Sequence, residues 1–379
     1  MRNTRLDAIR GFAVMGILLM NISAFGLPAA AYLNPAWRGL PGLRDGIVWG
    51  LLDLFAQVKF LFLFAMLFGV GLLLQLPRGG RWIRVRLGWL ALLGLIHSLF
   101  FWDGDILLDY ALVGLLLWRL MAALSAEGRL LSSGIFLWLV GTLVLVPFGL
   151  LAGDIPGPSW LPGAADLEYE AYWKLSGGLE ALRNRADLLQ SSLLALLAQY
   201  GWQLAGAMLI GAALWQSGWL RGQRPAATYR RHAWRLMLAG VLIQLPGLLL
   251  QVGLQWRWPW TPFWLQIPRD LGAPLMALGY VALIHAAWAY LARGWLMQAT
   301  ARVGRMALSN YLLQTLLCSA LFWHGALFMH LDRLALLLLV PLIWCVNLLF
   351  STLWLRIWSQ GPLEALWRWL TRRCTAPPA

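Results

Sequence analysis

Charge is scarce in this sequence, and so are lysine, cysteine and histidine. Only 12% of the 379 residues are charged, where a soluble domain carries roughly a quarter. A water-facing surface over the whole chain is therefore excluded. The three cysteines, Cys318, Cys345 and Cys374, stand at no disulfide or metal-ligand spacing, so neither zinc nor redox chemistry is expected. No Walker loop, dinucleotide fingerprint or serine elbow is present. No fixed-period repeat and no soluble domain interrupts the chain, which reads as one integral membrane domain over residues 1–379.

What fills the chain is apolar. Hydrophobic residues make up 60%, and the mean hydropathy is +0.67. Runs long enough to cross a bilayer, about 20 residues each, recur from end to end. The expected fold is all-α, a polytopic transmembrane helical bundle of about ten spans. They fall at about 11–31, 47–75, 87–102, 106–124, 130–152, 191–219, 233–254, 271–291, 307–327 and 334–357. The first run lacks a small-residue cleavage site and is read as a span rather than a leader. Between spans the arginines alternate. One set of connections, both termini included, holds 21 of the 28 arginines, and the other set holds eight basic residues and most of the acids. That asymmetry places both termini in the cytoplasm. It also accounts for the net charge of +14 without nucleic acid.

Two segments outside the spans carry pattern. The connection 153–190 opens on Asp154-Ile155-Pro156-Gly157-Pro158 and continues with Leu179, Leu182 and Leu188 among charges, as an amphipathic helix on the outer surface would. The cytoplasmic tail, 361–379, carries a second amphipathic stretch from Glu364 to Arg373. The 47–75 run exceeds one perpendicular crossing, which predicts tilt or an interfacial start.

Ionisable groups inside a membrane are costly and tend to face a cavity and a partner. Arg5, Asp7 and Arg10 stand at the mouth of the first span, with Asp7 and Arg10 one helical turn apart and able to pair; Asn21 lies further in. Asp53, Lys59, His97, Asp103, Asp105 and Asp109 fall in the outer half of spans two to four. A histidine oriented by a carboxylate is suited to take a proton from a hydroxyl or amine; the plain alternative is a packed histidine bonded to a backbone carbonyl. Arg78, Arg81, Arg84 and Arg86 suit the phosphates of a nucleotide-containing donor, although orientation in the membrane explains them too. Asn310, Tyr311 and Gln314 either line a polar tunnel or bond neighbouring helices. His285 reads as a packing residue.

Four blocks resemble the YeiB-like family of bacterial inner-membrane proteins: Arg5-Leu6-Asp7-Ala8-Ile9-Arg10-Gly11, the Lys59-Phe60 to Gly69-Val70-Gly71 stretch, His97 with Gly104-Asp105-Ile106-Leu107, and Gly304-Arg305-Met306 through Gln314. The first span, through Arg5, Leu6-Asp7, Arg10-Gly11 and Asn21, is also similar to that of heparan-α-glucosaminide N-acetyltransferases. That likeness implies transfer of an acyl group from cytoplasmic acyl-CoA to an acceptor across the membrane. The sequence departs from those enzymes after the first span, where Leu33-Asn34-Pro35-Ala36-Trp37-Arg38 contains no histidine, so no catalytic residue is carried over.

The expectation is thus a transmembrane acyltransferase. His97, Asp103 and Asp105 would be catalytic, and Arg5, Asp7, Arg10, Asn21, Arg81 and Arg84 would hold acyl-CoA (acetyl-CoA). Asp53, Lys59, Asp109, Asn310, Tyr311 and Gln314 would line the substrate path. The expected partners are the lipid bilayer and a small-molecule or envelope-glycan acceptor, and a homodimer is compatible with the sequence. The alternative is a proton- or substrate-coupled transporter or lipid-handling protein that uses Asp53, Lys59 and His97 without covalent chemistry.

Overall fold

The computed structural model describes residues 3–375, and among them no β-strand occurs. The chain runs through α1 (Thr4–Gly26), α2 (Leu43–Phe55), α3 (Lys59–Leu73), α4 (Gly80–Phe100), α5 (Leu107–Ala126), α6 (Leu130–Leu143) and α7 (Leu145–Leu151). It continues through α8 (Ala164–Ser176), α9 (Gly178–Ala195), α10 (Gly201–Gln216), α11 (Ala226–Gly253), α12 (Gln266–Ala286) and the short α13 (Trp288–Leu291). The last elements are α14 (Trp295–Arg305), α15 (Ala307–Ser319), α16 (Arg333–Ile357) and α17 (Pro362–Thr375). Nine helical stretches among the described residues are long and apolar enough to cross a membrane, and the pair α14–α15, bent by 92°, supplies a tenth. The protein is an all-α, multi-pass membrane bundle.

Burial sorts the helices. In α1 and α12, 61% of the most apolar window is covered by protein, against 22% in α11 and 28% in α16. The first two therefore form the interior, and the last two present leucines to lipid. Small residues let the interior close. A Cβ on Gly11 would lie 1.9 Å from the Thr300 carbonyl, and one on Gly304 would lie 1.8 Å from the Asp7 carbonyl. Any side chain there would separate α1 from α14, so the Gly304 block of the sequence is a backbone-to-backbone crossing.

Three features differ from the sequence reading. The 47–75 run is broken: the helix stops at Phe55 and restarts at Lys59 through Val58, whose φ is 68°. The 153–190 connection holds two helices, and the second, α9, runs through a π-helical turn at Leu196–Tyr200 into α10. The third is α14, absent from the sequence reading. Its length of 11 residues is too short for a span, and its polar face looked like a loop.

Candidate functional site

Two cavities open at opposite ends of the bundle and share one wall. The first, about 290 Å³, lies on the face where α1 begins. Four arginines, Arg10, Arg86, Arg305 and Arg368, line it with a single acid, Glu364, among the described residues. Apolar side chains of α3 and α4, Phe64, Leu67, Leu87 and Leu90 among them, continue inward to Leu107, Tyr110 and Tyr311. The mouth is built by helix ends. Arg10 bonds Asp7 Oδ1 at 3.1 Å, the one-turn pair that the sequence suggested. Arg86 lies 3.5 Å over the Trp367 ring, whose Nε1 donates to the Arg86 carbonyl at 2.7 Å, so α17 is clamped across the start of α4. Glu364 accepts from the backbone N–H groups of Leu308 and Ser309 at 2.8 and 3.1 Å. This satisfies amides that the first turn of α15 leaves unpaired.

The second cavity, about 580 Å³, lies toward the opposite face. Its lining mixes apolar side chains, Phe60, Leu61 and Leu204 among them, with a set richer in acids than the first: Asp103, Asp105, Asp109 and Asp270 contribute, with Asn21, Gln57, Gln203, Lys174 and Arg269. Its wall is held by a buried ionic network of no net charge. Arg269 NH1 meets Asp53 Oδ1 at 3.1 Å, and its Nε stands 3.7 Å from Asp270 Oδ1. Gln203 Nε2 donates to Asp270 Oδ2 at 2.7 Å. Lys59 Nζ turns back to the Asp53 carbonyl at 2.6 Å, an acceptor near the end of the broken helix α2. Asp109 accepts from the Tyr200 hydroxyl at 3.0 Å. Asp103 Oδ1 and Gln57 Oε1 are buried without a hydrogen-bond partner, and both residues line this cavity.

Tyr110 lines both cavities. It is pinned by its hydroxyl bond to the Leu61 carbonyl at 3.1 Å and by edge contacts with Phe64 and Phe68. Beside it lies a buried polar cluster. His97 Nδ1 is 2.7 Å from Asp105 Oδ1, and Nε2 is 3.1 Å from the Thr315 hydroxyl. Asp105 Oδ2 also accepts from Leu108 N at 2.9 Å, which ties the carboxylate to the first turn of α5. A carboxylate only accepts, so it assigns the proton to Nδ1 and leaves the Nε2 lone pair facing Thr315. Gly94 makes this contact reachable: a Cβ there would lie 2.3 Å from Leu108 N and 2.9 Å from Asp105 Oδ2. The cluster lies toward the far end of α4. His97 is about 26 Å along the helix from Gly80 at 1.5 Å per residue and three residues from Phe100, where α4 ends.

The sequence-based site is therefore divided. Of the two candidate carboxylates, Asp105 orients His97; Asp103 does not bond it and instead faces the second cavity. Arg10 lines the first cavity, but Arg5 points elsewhere, bonding the Gly222 carbonyl at 2.9 Å and stacking over Trp288. Asn21 belongs to the second cavity, because 11 residues of helix separate it from Arg10 by about 16 Å. Arg81 bonds the Cys374 carbonyl in a separate shallow pocket, and Arg84 is exposed and lines neither cavity; Arg86 is the member of that run that enters the first.

Asn310 and Gln314 line neither of these two cavities. Asn310 bonds Ser351 at 2.7 Å, Asn347 bonds both residues, and Gln314 reaches the Val14 carbonyl at 3.3 Å, so the set ties α15 to α16 and α1. At about 100° per residue Tyr311 faces away from that seam, toward His97, with ring centroids 5.5 Å apart. Sequence reasoning missed Thr315, Arg269, Asp270, Tyr200 and Glu364. The adjacent opposite charges Arg269-Asp270 at the start of an apolar run were the one readable signal. No group of His, Cys, Asp and Glu among the described residues forms a metal site.

Fold and site together define a polytopic membrane protein with a buried histidine–carboxylate pair whose carboxylate, Asp105, lines the second of two cavities. Residues 214–373 match the family model described as "Protein of unknown function (DUF418)". The chain is 56% identical over 376 residues to "Uncharacterized protein YeiB" of Escherichia coli strain K12, covering 99% of this chain and 98% of that protein. It is 29% identical over 398 residues to "Uncharacterized protein YxaH" of Bacillus subtilis strain 168, covering 96% and 92% of the two chains. The chain belongs to the YeiB-like family.

Proposed function

We propose that the protein is a transmembrane acyltransferase of the bacterial inner membrane that moves an acyl group from acyl-CoA to a hydroxyl or amine acceptor on the far side. Both termini then lie in the cytoplasm. The reading rests on one observation: two cavities, one lined mainly by arginines and the other mainly by carboxylates among its charged groups, approach a common wall at Tyr110, beside His97 and Asp105. The first suits the donor. Guanidinium groups at its mouth match phosphates, and its apolar throat matches a pantetheine arm. The second suits an acceptor rich in hydrogen-bond donors, because carboxylates and the unpartnered oxygens of Asp103 and Gln57 line it. His97 and Asp105 would carry the proton that the acceptor releases and the departing thiolate needs.

A test begins with calorimetric titration of CoA and acetyl-CoA into detergent-solubilised protein. Micromolar binding is expected, weakened roughly tenfold in Arg86→Ala, the order of one charge-assisted contact. Absence of binding in well-folded protein would sink the donor assignment.

One observation favours a second reading. The neutral Asp53–Arg269–Asp270–Lys59 network beside the second cavity is also what a coupled transporter would use as a relay. Proton-coupled uptake into liposomes, lost in Asp53→Asn, together with no CoA binding, would replace the acyltransferase reading.

A further inference from the structure

We infer that Thr315 is a covalent nucleophile, so that the acyl group rests on its hydroxyl between donor and acceptor. This rests on the acyltransferase reading and goes beyond it by naming the intermediate and the residue that holds it.

Three observations converge on Thr315. The first is alignment: Asp105 Oδ1, His97 Nδ1, His97 Nε2 and Thr315 Oγ1 form an unbroken chain at 2.7 and 3.1 Å. This is the order in which a carboxylate orients an imidazole and the imidazole draws the proton from a hydroxyl. Among the described residues the only other bond to this hydroxyl is a long one, 3.5 Å, to the Tyr311 carbonyl one turn earlier.

The second observation is the partition of the cavities. Tyr110 stands between them, so reactants arriving from opposite faces do not share one space. Transfer in a single displacement needs both at one point; transfer in two displacements needs a group that each reaches in turn. Asp105 lines the second cavity, and Tyr311, one turn from Thr315 on α15, lines the first. Among the described residues the Tyr311 hydroxyl is held by one bond, from Ile106 N at 3.3 Å. His97 and Thr315 themselves line neither cavity, so this ring must swing aside to open the first cavity to the pair. The third observation is burial. Thr315 is 1% exposed, which shields an ester from water while the acceptor binds.

In the first step Thr315 Oγ bonds to the thioester carbonyl carbon, its proton passes to His97 Nε2, and the C–S bond breaks. The thiolate then takes that proton and leaves as the thiol. In the second step the acceptor oxygen or nitrogen bonds to the ester carbonyl carbon and gives its proton to Nε2. The C–Oγ bond breaks, and Thr315 recovers its hydroxyl proton from Nε2. Asp105 stays a carboxylate throughout.

The experiment mixes full-length protein in detergent with radiolabelled acetyl-CoA in the absence of acceptor, then quenches in acid and maps the label by peptide mass spectrometry. The expected result is release of about one equivalent of CoA thiol per protein and an acetyl ester on Thr315, in the pattern of an acyl-enzyme burst. Thr315→Ser is expected to move the label to the replacement serine. Thr315→Val, close in shape, is expected to lose the burst and at least about 100-fold of any transfer while melting near the wild type. The label on wild-type protein needs no variant to fold. Transfer by the wild type with no adduct, retained in Thr315→Val, would overturn the nucleophile and leave the acyltransferase reading standing. An adduct on another residue would also overturn it. Neither thiol release nor transfer by protein that binds no CoA would remove both.

Discussion

The two cavities are built by opposite strategies. The first sets arginines at helix ends around an apolar throat, and its charges stand at a boundary where water reaches them. The second places charges within the bundle and balances them there, with Arg269 between Asp53 and Asp270 and Lys59 bonded to a carbonyl left free by a helix break. A charge at a boundary costs little to keep and little to remove. A buried one is tolerated only as part of a set, and losing one member strands the rest. The first cavity should therefore tolerate substitution and lose affinity, whereas the second should lose the fold.

The largest expected effect follows from that difference. Arg269→Met leaves Asp53 and Asp270 buried without their shared cation, a loss of about 3–5 kcal/mol by analogy with other broken buried pairs. Replacing the whole network together, as Asp53→Leu with Lys59→Met, Arg269→Met and Asp270→Asn, should recover most of it. Urea or thermal unfolding in detergent, followed by tryptophan fluorescence, checks both. If the single variant unfolds like the wild type, the contrast between the cavities is wrong.

Next in size is Gly94→Ala, which acts where α4 meets the turn that supplies Asp105. The added methyl group meets Leu108 N at 2.3 Å, and overpacking of this kind costs about 1–3 kcal/mol. Because the clash falls on the Asp105 turn that holds His97, acyl transfer, on the proposed reading, should fall by more than stability alone explains. Turnover measured at a temperature where the variant is fully folded separates the two.

These cases also explain what could be read from the sequence. Span positions and the Asp7–Arg10 pair were legible because they depend on local runs and one-turn spacing. His97 and Asp105 were legible because an imidazole and a carboxylate in apolar surroundings stand out against their neighbours. Arg269, Tyr200 and Thr315 were not, because their partners lie 216, 91 and 218 residues away and each side chain alone resembles a span end or a packing residue. The break at Val58 was illegible for another reason. An apolar run has the same composition whether or not one residue takes a positive φ, so hydropathy cannot see the free carbonyl that captures Lys59.

The smallest effects belong to the first cavity, and one of them carries two signs. Glu364 caps α15 through Leu308 N and Ser309 N, and its other oxygen accepts from the Ser309 hydroxyl at 2.5 Å. It is also the single acid among the cavity's four arginines. Glu364→Gln keeps the shape and one acceptor but removes the charge from a helix N-terminus, for about 1 kcal/mol of lost stability. The same change removes a negative charge from the mouth of the first cavity, so on the acyltransferase reading CoA affinity should rise a few-fold, most clearly at low salt. Calorimetric titration at two ionic strengths, beside an unfolding curve, reads both signs on one variant. A drop in affinity that follows the drop in stability would mean that Glu364 only supports the mouth. Opposite movements would mean that its carboxylate occupies, on the α15 amides, ground that an incoming phosphate competes for.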